Sequence, residues 1–134
     1  MQNECTAKKP FKTALRTVYD AASLIVIITY DQGDVSYGEA VPTSVITGET
    51  LESIDYAICE VIRPILLGAS LAEYEQIFSA MNRVLASNTS AKAAIDMAIY
   101  DGLAKAGRTS ALSIPWRISS SARNRLYGQC KPAA

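Results

Sequence analysis

The spacing of apolar positions changes once along the chain, near residue 50. Before it, residues 17–30, "TVYDAASLIVIITY", are rich in β-branched side chains, which predicts one long strand. "DQGD" at 31–34 is a turn signal, and "VSYGEA" at 35–40 predicts the partner strand of a hairpin. "VPTSVITGE" then predicts a loop. From Leu51 onward apolar residues recur at three- and four-residue spacing, the period of a helix that buries one face. Leu51, Ile54, Ile58, Val61, Ile62 and Ile65 form the first stripe, opened by Thr50 with Ser53 and closed by Gly68. Leu71, Tyr74, Ile77, Phe78, Met81 and Leu85 form the second. Ser70 and Glu73 ahead of it have the spacing of a capping box, and "SNTS" at 87–90 breaks it. Ala91, Ala94, Ile95, Ala98, Ile99 and Leu103 form the third, with Gly107 as its stop. The alanines of that helix predict close approach to another element. Its i,i+4 pairs, Lys92–Asp96 and Asp101–Lys105, are expected to be solvated, at about 0.3–0.5 kcal/mol each. After Gly107 no period is left in "RTSALSIPWRISSSARNRLYGQCKPAA". The fold class is therefore α+β: an antiparallel β-meander followed by three α-helices.

Composition narrows the chemistry. A chain of 134 residues is about one domain long and could bury roughly two-thirds of its unfolded surface. Thirteen cationic side chains balance thirteen anionic ones, so there is no electrostatic footprint for nucleic acid or an anionic membrane. The apolar run "LIVII" falls far short of the ~20 residues a membrane span needs. The first ten residues lack the apolar core of a signal peptide. Cys5, Cys59 and Cys130 are widely spaced, which predicts neither a disulfide framework nor a zinc site, and a reduced, cytoplasmic protein. Histidine is absent. The commonest general base and transition-metal ligand is thereby missing, and any reaction would fall to lysine, tyrosine, cysteine or carboxylates.

One stretch stands out chemically. In "PFKTALRTV" at 10–18, Lys12 and Arg16 alternate with Thr13 and Thr17 immediately before the apolar strand. Two cations and two hydroxyls make either a solvated approach to the strand or a loop that holds an anion.

Together with this stretch, the strings "YGEAVPTSVITGET", "ESI" and "SAKAAIDMAIYDGLAK" resemble the N-terminal capping domain of the enolase superfamily. The resemblance runs from about Lys9 to Ala106 and lies in the muconate-lactonizing/mandelate-racemase branch. It is strongest to dipeptide epimerases acting on L-Ala-D/L-Glu. It implies a two-domain enzyme whose (β/α)₇β barrel carries three Mg²⁺-binding carboxylates and two lysines that move the proton α to a carboxylate. The cap closes over the mouth of that barrel, and its first loop shapes specificity. By resemblance "TALRT" is that loop. Arg16 then contacts the substrate carboxylate, for which a planar guanidinium is suited, while Thr13, Lys12 and Thr17 are weaker binding candidates. Glu39 and Thr43 fall near a second cap loop, in structural roles. Asp96 and Asp101 are not metal ligands on this reading, because the family takes those from the barrel.

The departures carry expectations too. No barrel sequence is present, so the chain is expected to be inactive alone. It holds no cofactor itself, Mg²⁺ belonging to the full-length family, and meets an acidic dipeptide only with a barrel. The family's first strand is expected to be lost, leaving residues 1–9 non-native, 10–106 as the cap and 107–134 as an out-of-frame or disordered tail. Read one base later with permitted codons, 107–132 can spell GVPLLYQYLGGLAHLPETDYTVSVNP, and 2–7 can spell KMSVPL, both family-like. The strand edge left open predicts self-association. Competing readings are the cap of a muconate cycloisomerase or o-succinylbenzoate synthase, and a small α+β interaction module with no enzymatic role.

Overall fold

The computed structural model describes the backbone of residues 2–12, 14, 17–107 and 126–128. At its centre is the long apolar strand. β2 spans Thr17–Tyr30 and β3 spans Val35–Ala40, the bounds expected from the sequence. They pair antiparallel from Leu24↔Ala40 to Thr29↔Val35. Gly33 turns the chain between them at φ 84°, a left-handed backbone that glycine adopts without a Cβ clash.

The opposite edge of β2 is not open. The first strand, expected to be lost, is present as β1, Gln2–Lys12, paired antiparallel with β2 from Gln2↔Leu24 to Lys12↔Thr17. A ladder is made of backbone groups, so a strand edge can recruit a segment whose side chains show no strand pattern. The register shifts between Thr6 and Phe11. Pro10, which has no N–H for a ladder, falls in that irregular stretch. β4, Leu126–Gly128, lies within the periodless stretch and pairs with β2 at Ile28–Tyr30 on the same edge as β1.

One face of this sheet is core. Leu24, Val26, Ile28 and Tyr30 of β2 are buried, as are Ser36, Gly38 and Ala40 opposite them on β3. α5, Thr89–Ala106, lies across that face and buries every position of its predicted stripe. Its small residues set the approach. A Cβ on Gly38 would overlap the Ala94 carbonyl, and one on Gly102 would overlap the Tyr30 hydroxyl. Tyr30 Oη instead shares a 2.7 Å hydrogen bond with Ser36 Oγ, which satisfies two buried polar groups at once. Burial pushes the Tyr30 phenol up, the Ser36 bond pulls it back, and the charge of Asp101 adds to the rise.

The first helical stripe is a rod of three geometries: α2 (Leu51–Tyr56), a π-helical turn (Ala57–Ile62) and α3 (Arg63–Leu66). Ile54, Ile58, Ile62 and Leu66 are buried at strict four-residue spacing. In an α-helix each step of four overshoots a full turn by about 40°. The wider π turn absorbs that drift, so Leu66 is buried and the predicted Ile65 only half so. Pro64 follows directly, and the loosened turn accommodates a ring that would clash with the carbonyl four residues back. Thr50 and Ser53 form the reciprocal capping box, Ser53 N donating to Thr50 Oγ1 at 3.2 Å and Thr50 N to Ser53 Oγ at 2.9 Å. At the box expected around Ser70, its Oγ accepts from Ala72 N at 3.3 Å, and a 3₁₀ turn, Leu71–Glu73, leads into α4, Tyr74–Val84. Tyr74, Phe78 and Tyr100 join α4 to α5 through rings with centroids 5.8–6.1 Å apart. Non-glycine residues Ser87 and Asn88 take positive φ between those helices. The predicted loop after β3 contains one further helical turn, α1, Ser44–Thr47. No disulfide framework was expected, yet Cys59 is disulfide-bonded. Its partner lies outside the described side chains; three cysteines still permit one bridge.

Candidate functional site

Strand direction brings two loops to one end of the sheet. β1 ends, and β2 begins, at the Lys12↔Thr17 pair. β3 ends at Ala40, opposite Leu24 in the first half of β2. The Lys12↔Thr17 end of the β1–β2 ladder and the loop that begins at Val41 therefore lie toward the same end of β2. Lys12 and Thr17 face each other as the closing pair of the β1–β2 hairpin, and both are exposed, as is Ala14. Thr13 and Arg16, the other two candidates in this loop, lie outside the described residues.

The second loop is built more firmly. The Thr43 carbonyl accepts from Ile46 N at 2.8 Å, Thr47 N at 2.9 Å and Thr47 Oγ1 at 3.2 Å. Gly48, at φ 76°, closes the turn by donating to Ser44 O at 3.0 Å. The turn buries none of its own residues; Val41, Val45 and Ile46 are 48%, 57% and 70% exposed. Thr43 thus acts through its backbone. Glu39 stands exposed on β3 opposite Ile25.

The residue that ties this loop to the body of the fold is Glu49, only 7% exposed. Its Oε1 accepts from Ser90 N at 3.2 Å and its Oε2 from Ser90 Oγ at 2.5 Å, across 41 residues of sequence. Burial raises the Glu49 carboxyl, but the bonds from Ser90, Thr47 and the Thr89 backbone outweigh it and hold the group below the usual carboxylate range. Nothing local in "TGET" marks this role, because the partner is set by tertiary structure.

Asp101 and Lys105, expected to be merely solvated, do more. They form a 2.6 Å ion pair. Asp101 Oδ2 also accepts from Tyr37 N at 3.0 Å, and Lys105 Nζ donates to Val35 O at 2.9 Å and lies 5.0 Å from the Tyr37 ring centroid. This pair docks α5 on the outer edge of β3, at the end of the sheet away from the two loops. Asp96 is half-buried on α5, and burial raises its carboxyl. Among the described residues no three His, Cys, Asp or Glu side chains form a group that could hold a metal ion, so these residues do not fit the Mg²⁺ of the full-length family. No described helix is long and apolar enough to cross a membrane.

Among the described residues, the exposed Lys12 and Thr17 and the exposed apolar loop of Val41, Val45 and Ile46 lie toward the same end of β2.

Known proteins share this fold. Residues 1–114 match the model for the mandelate racemase / muconate lactonizing enzyme, N-terminal domain. The L-Ala-D/L-Glu epimerase of Bacillus subtilis (strain 168) is 60% identical over 97 residues, which cover 72% of this chain and 26% of that protein. A solved substrate-liganded complex of the B. subtilis epimerase superposes with a TM-score of 0.77 at 54% identity, over 80% of this chain and 30% of that one. A dipeptide epimerase from Enterococcus faecalis V583, solved with Mg and the dipeptide L-Leu-L-Tyr, gives 0.76 at 35% identity, over 81% and 30%. The chain thus spans about a quarter of the length of the curated relative. Fold and sequence agree, and the chain belongs to the mandelate racemase/muconate lactonizing enzyme family, of which it carries the N-terminal domain.

Proposed function

We propose that the chain is the capping, specificity-determining domain of a Mg²⁺-dependent dipeptide epimerase of the L-Ala-D/L-Glu kind, and that it does not catalyse epimerisation by itself. The observation that carries this is the 60% identity to such an epimerase over a segment that is only 26% of its length. The cap-side contribution is recognition: Arg16 takes the side-chain carboxylate of the dipeptide, with Thr13, Lys12 and Thr17 beside it, while the apolar second loop lies against the rest of the ligand. Proton removal next to a carboxylate needs a positioned base and an electrophile, and on this reading both belong to the barrel.

The test has two arms. Purified chain with Mg²⁺ and L-Ala-L-Glu in D₂O is expected to exchange no α-proton; exchange overturns the claim that it is inactive alone. Joined to the barrel region of the B. subtilis epimerase, the chain is expected to yield an enzyme that prefers acidic dipeptides. A folded chimera that prefers hydrophobic dipeptides, or that cycloisomerises muconate, overturns the assignment. A cytoplasmic setting and self-association complete the proposal. The first rests on the scarcity of cysteine, three in 134 residues, of which one pair at most can be bridged; the Cys59 disulfide counts against it, and recovery from a periplasmic or secreted fraction overturns it. The second rests on the exposed Val41, Val45 and Ile46.

A further inference from the structure

α5 begins without a cap of its own. Its N-cap residue, Asn88, sits in the left-handed region at φ 49° and makes no side-chain capping bond. The first-turn N–H groups of a helix need acceptors, and the acceptor that reaches Ser90 N comes from Glu49 on the far side of the second loop. The dependence runs both ways. α1 buries no residue of its own, so no apolar contact from within that turn pins it to the fold. On its N-terminal side the loop is held by Ala40, buried in β3. On its C-terminal side it is held where Glu49 N donates to Thr47 Oγ1 at 3.3 Å and the Glu49 carboxylate binds Ser90.

We propose that Glu49 is the positioning residue of the second loop: by binding the N-terminal turn of α5 it fixes where Val41, Val45 and Ile46 stand at the ligand end of the sheet. A carboxylate suits this task. Its two oxygens accept from both Ser90 donors, and its charge opposes the positive end of an 18-residue helix. A buried charge is tolerated only when donors surround it, so the group holds one place. Glu49 does not touch the ligand in this scheme; it acts through the loop.

Amide hydrogen exchange on the full chain decides the question. In Glu49→Ala, exchange at Ile46, Thr47, Gly48 and Ser90 is expected to accelerate about tenfold or more, the scale of losing a charged hydrogen bond. The ladder amides of Ile25–Ile28 are expected to keep their wild-type rates. Glu49→Gln, which still offers an oxygen to Ser90 N, restores part of the protection; Ser90→Ala, which removes only the hydroxyl, gives a smaller acceleration at the same sites. No acceleration at 46–48, or an equal acceleration throughout the sheet, overturns the proposal. What this positioning is for rests on the capping-domain reading. In the barrel chimera Glu49→Gln is expected to raise KM for L-Ala-L-Glu while kcat falls less. An equal loss in both terms, or none, overturns the link to the ligand. A wild-type chimera that is itself inactive would sink the capping-domain reading instead, and the exchange comparison would still decide the loop.

Discussion

A methyl group at Gly38 has no room, because the Ala94 carbonyl of α5 occupies the space. Gly38→Ala must push a helix backbone off a strand, so it is expected to cost at least the 1–3 kcal/mol typical of overpacking, read as a lower urea midpoint. Glu49 sets a pH dependence. Its folded pKa lies below the ordinary 4.5, so its stabilisation is complete above that value and is lost as pH falls through the lower, folded one. Wild-type Tm is therefore expected to fall more steeply than that of Glu49→Gln on acidification below about pH 4.5; parallel curves would count against a charged Glu49 in the fold. Arg16→Ala in the barrel chimera is expected to lower kcat/KM for acidic dipeptides by roughly tenfold to over a hundredfold. Lys12→Ala should change it little, and equal small effects would return Arg16 to an ordinary surface role. Single residues were legible where their partners lie within a helix turn. The alanines of α5 showed that something would come close, but no period could say that it would be Gly38. Glu49 and Ser90, 41 residues apart, carried no signal at all.

At the level of elements, periodicity located β2, β3 and α5 well, because each buries a face and the pattern of burial is the pattern of sequence. It failed on β1, whose side chains do not alternate and whose place comes from the backbone edge that it covers. The π turn was half-visible: isoleucine and leucine at strict fours, Ile54, Ile58, Ile62 and Leu66, with Pro64 between the last two, describe a helix that cannot stay in register as α. The edge of β3 shows a different device. Exposed strand edges invite pairing with other chains, and here side chains of α5 occupy Tyr37 N and Val35 O. The Asp101–Lys105 pair is 32% and 43% exposed, so as an ion pair it adds at most about 1 kcal/mol. Its larger effect is expected on association. Asp101→Ala should leave Tm nearly unchanged yet raise light scattering with time, whereas Asp101→Asn, which can still accept from Tyr37 N, should behave like wild type. Equal scattering from both variants would mean that the β3 edge is protected in some other way.

For the molecule as a whole, the sheet face and the helices above it form one core, and the second loop and the Lys12↔Thr17 end of the β1–β2 ladder lie toward one end of it. That layout followed from the order of strands and helices, whereas the β1 ladder and the placement of β4 did not, since both depend on which edges of β2 stand open. Val41, Val45 and Ile46, exposed together, are expected to draw chains into contact: size-exclusion chromatography should show species larger than a monomer, and a Val45→Lys/Ile46→Lys double variant should shift them toward the monomer. The pairing of β3 with α5 also has a consequence for synthesis. Tyr37 waits for Asp101, 64 residues further along, which at about 5–20 residues per second is on the order of 3–13 s of translation. Throughout that interval the nascent hairpin presents Leu24, Val26 and Ile28 without the helix that covers them. Slow codons between residues 41 and 101 lengthen that exposure, so a synonymous variant carrying them is expected to give less soluble protein than the same amino-acid sequence written in fast codons, and equal soluble yields would show that the uncovered face does no harm during synthesis.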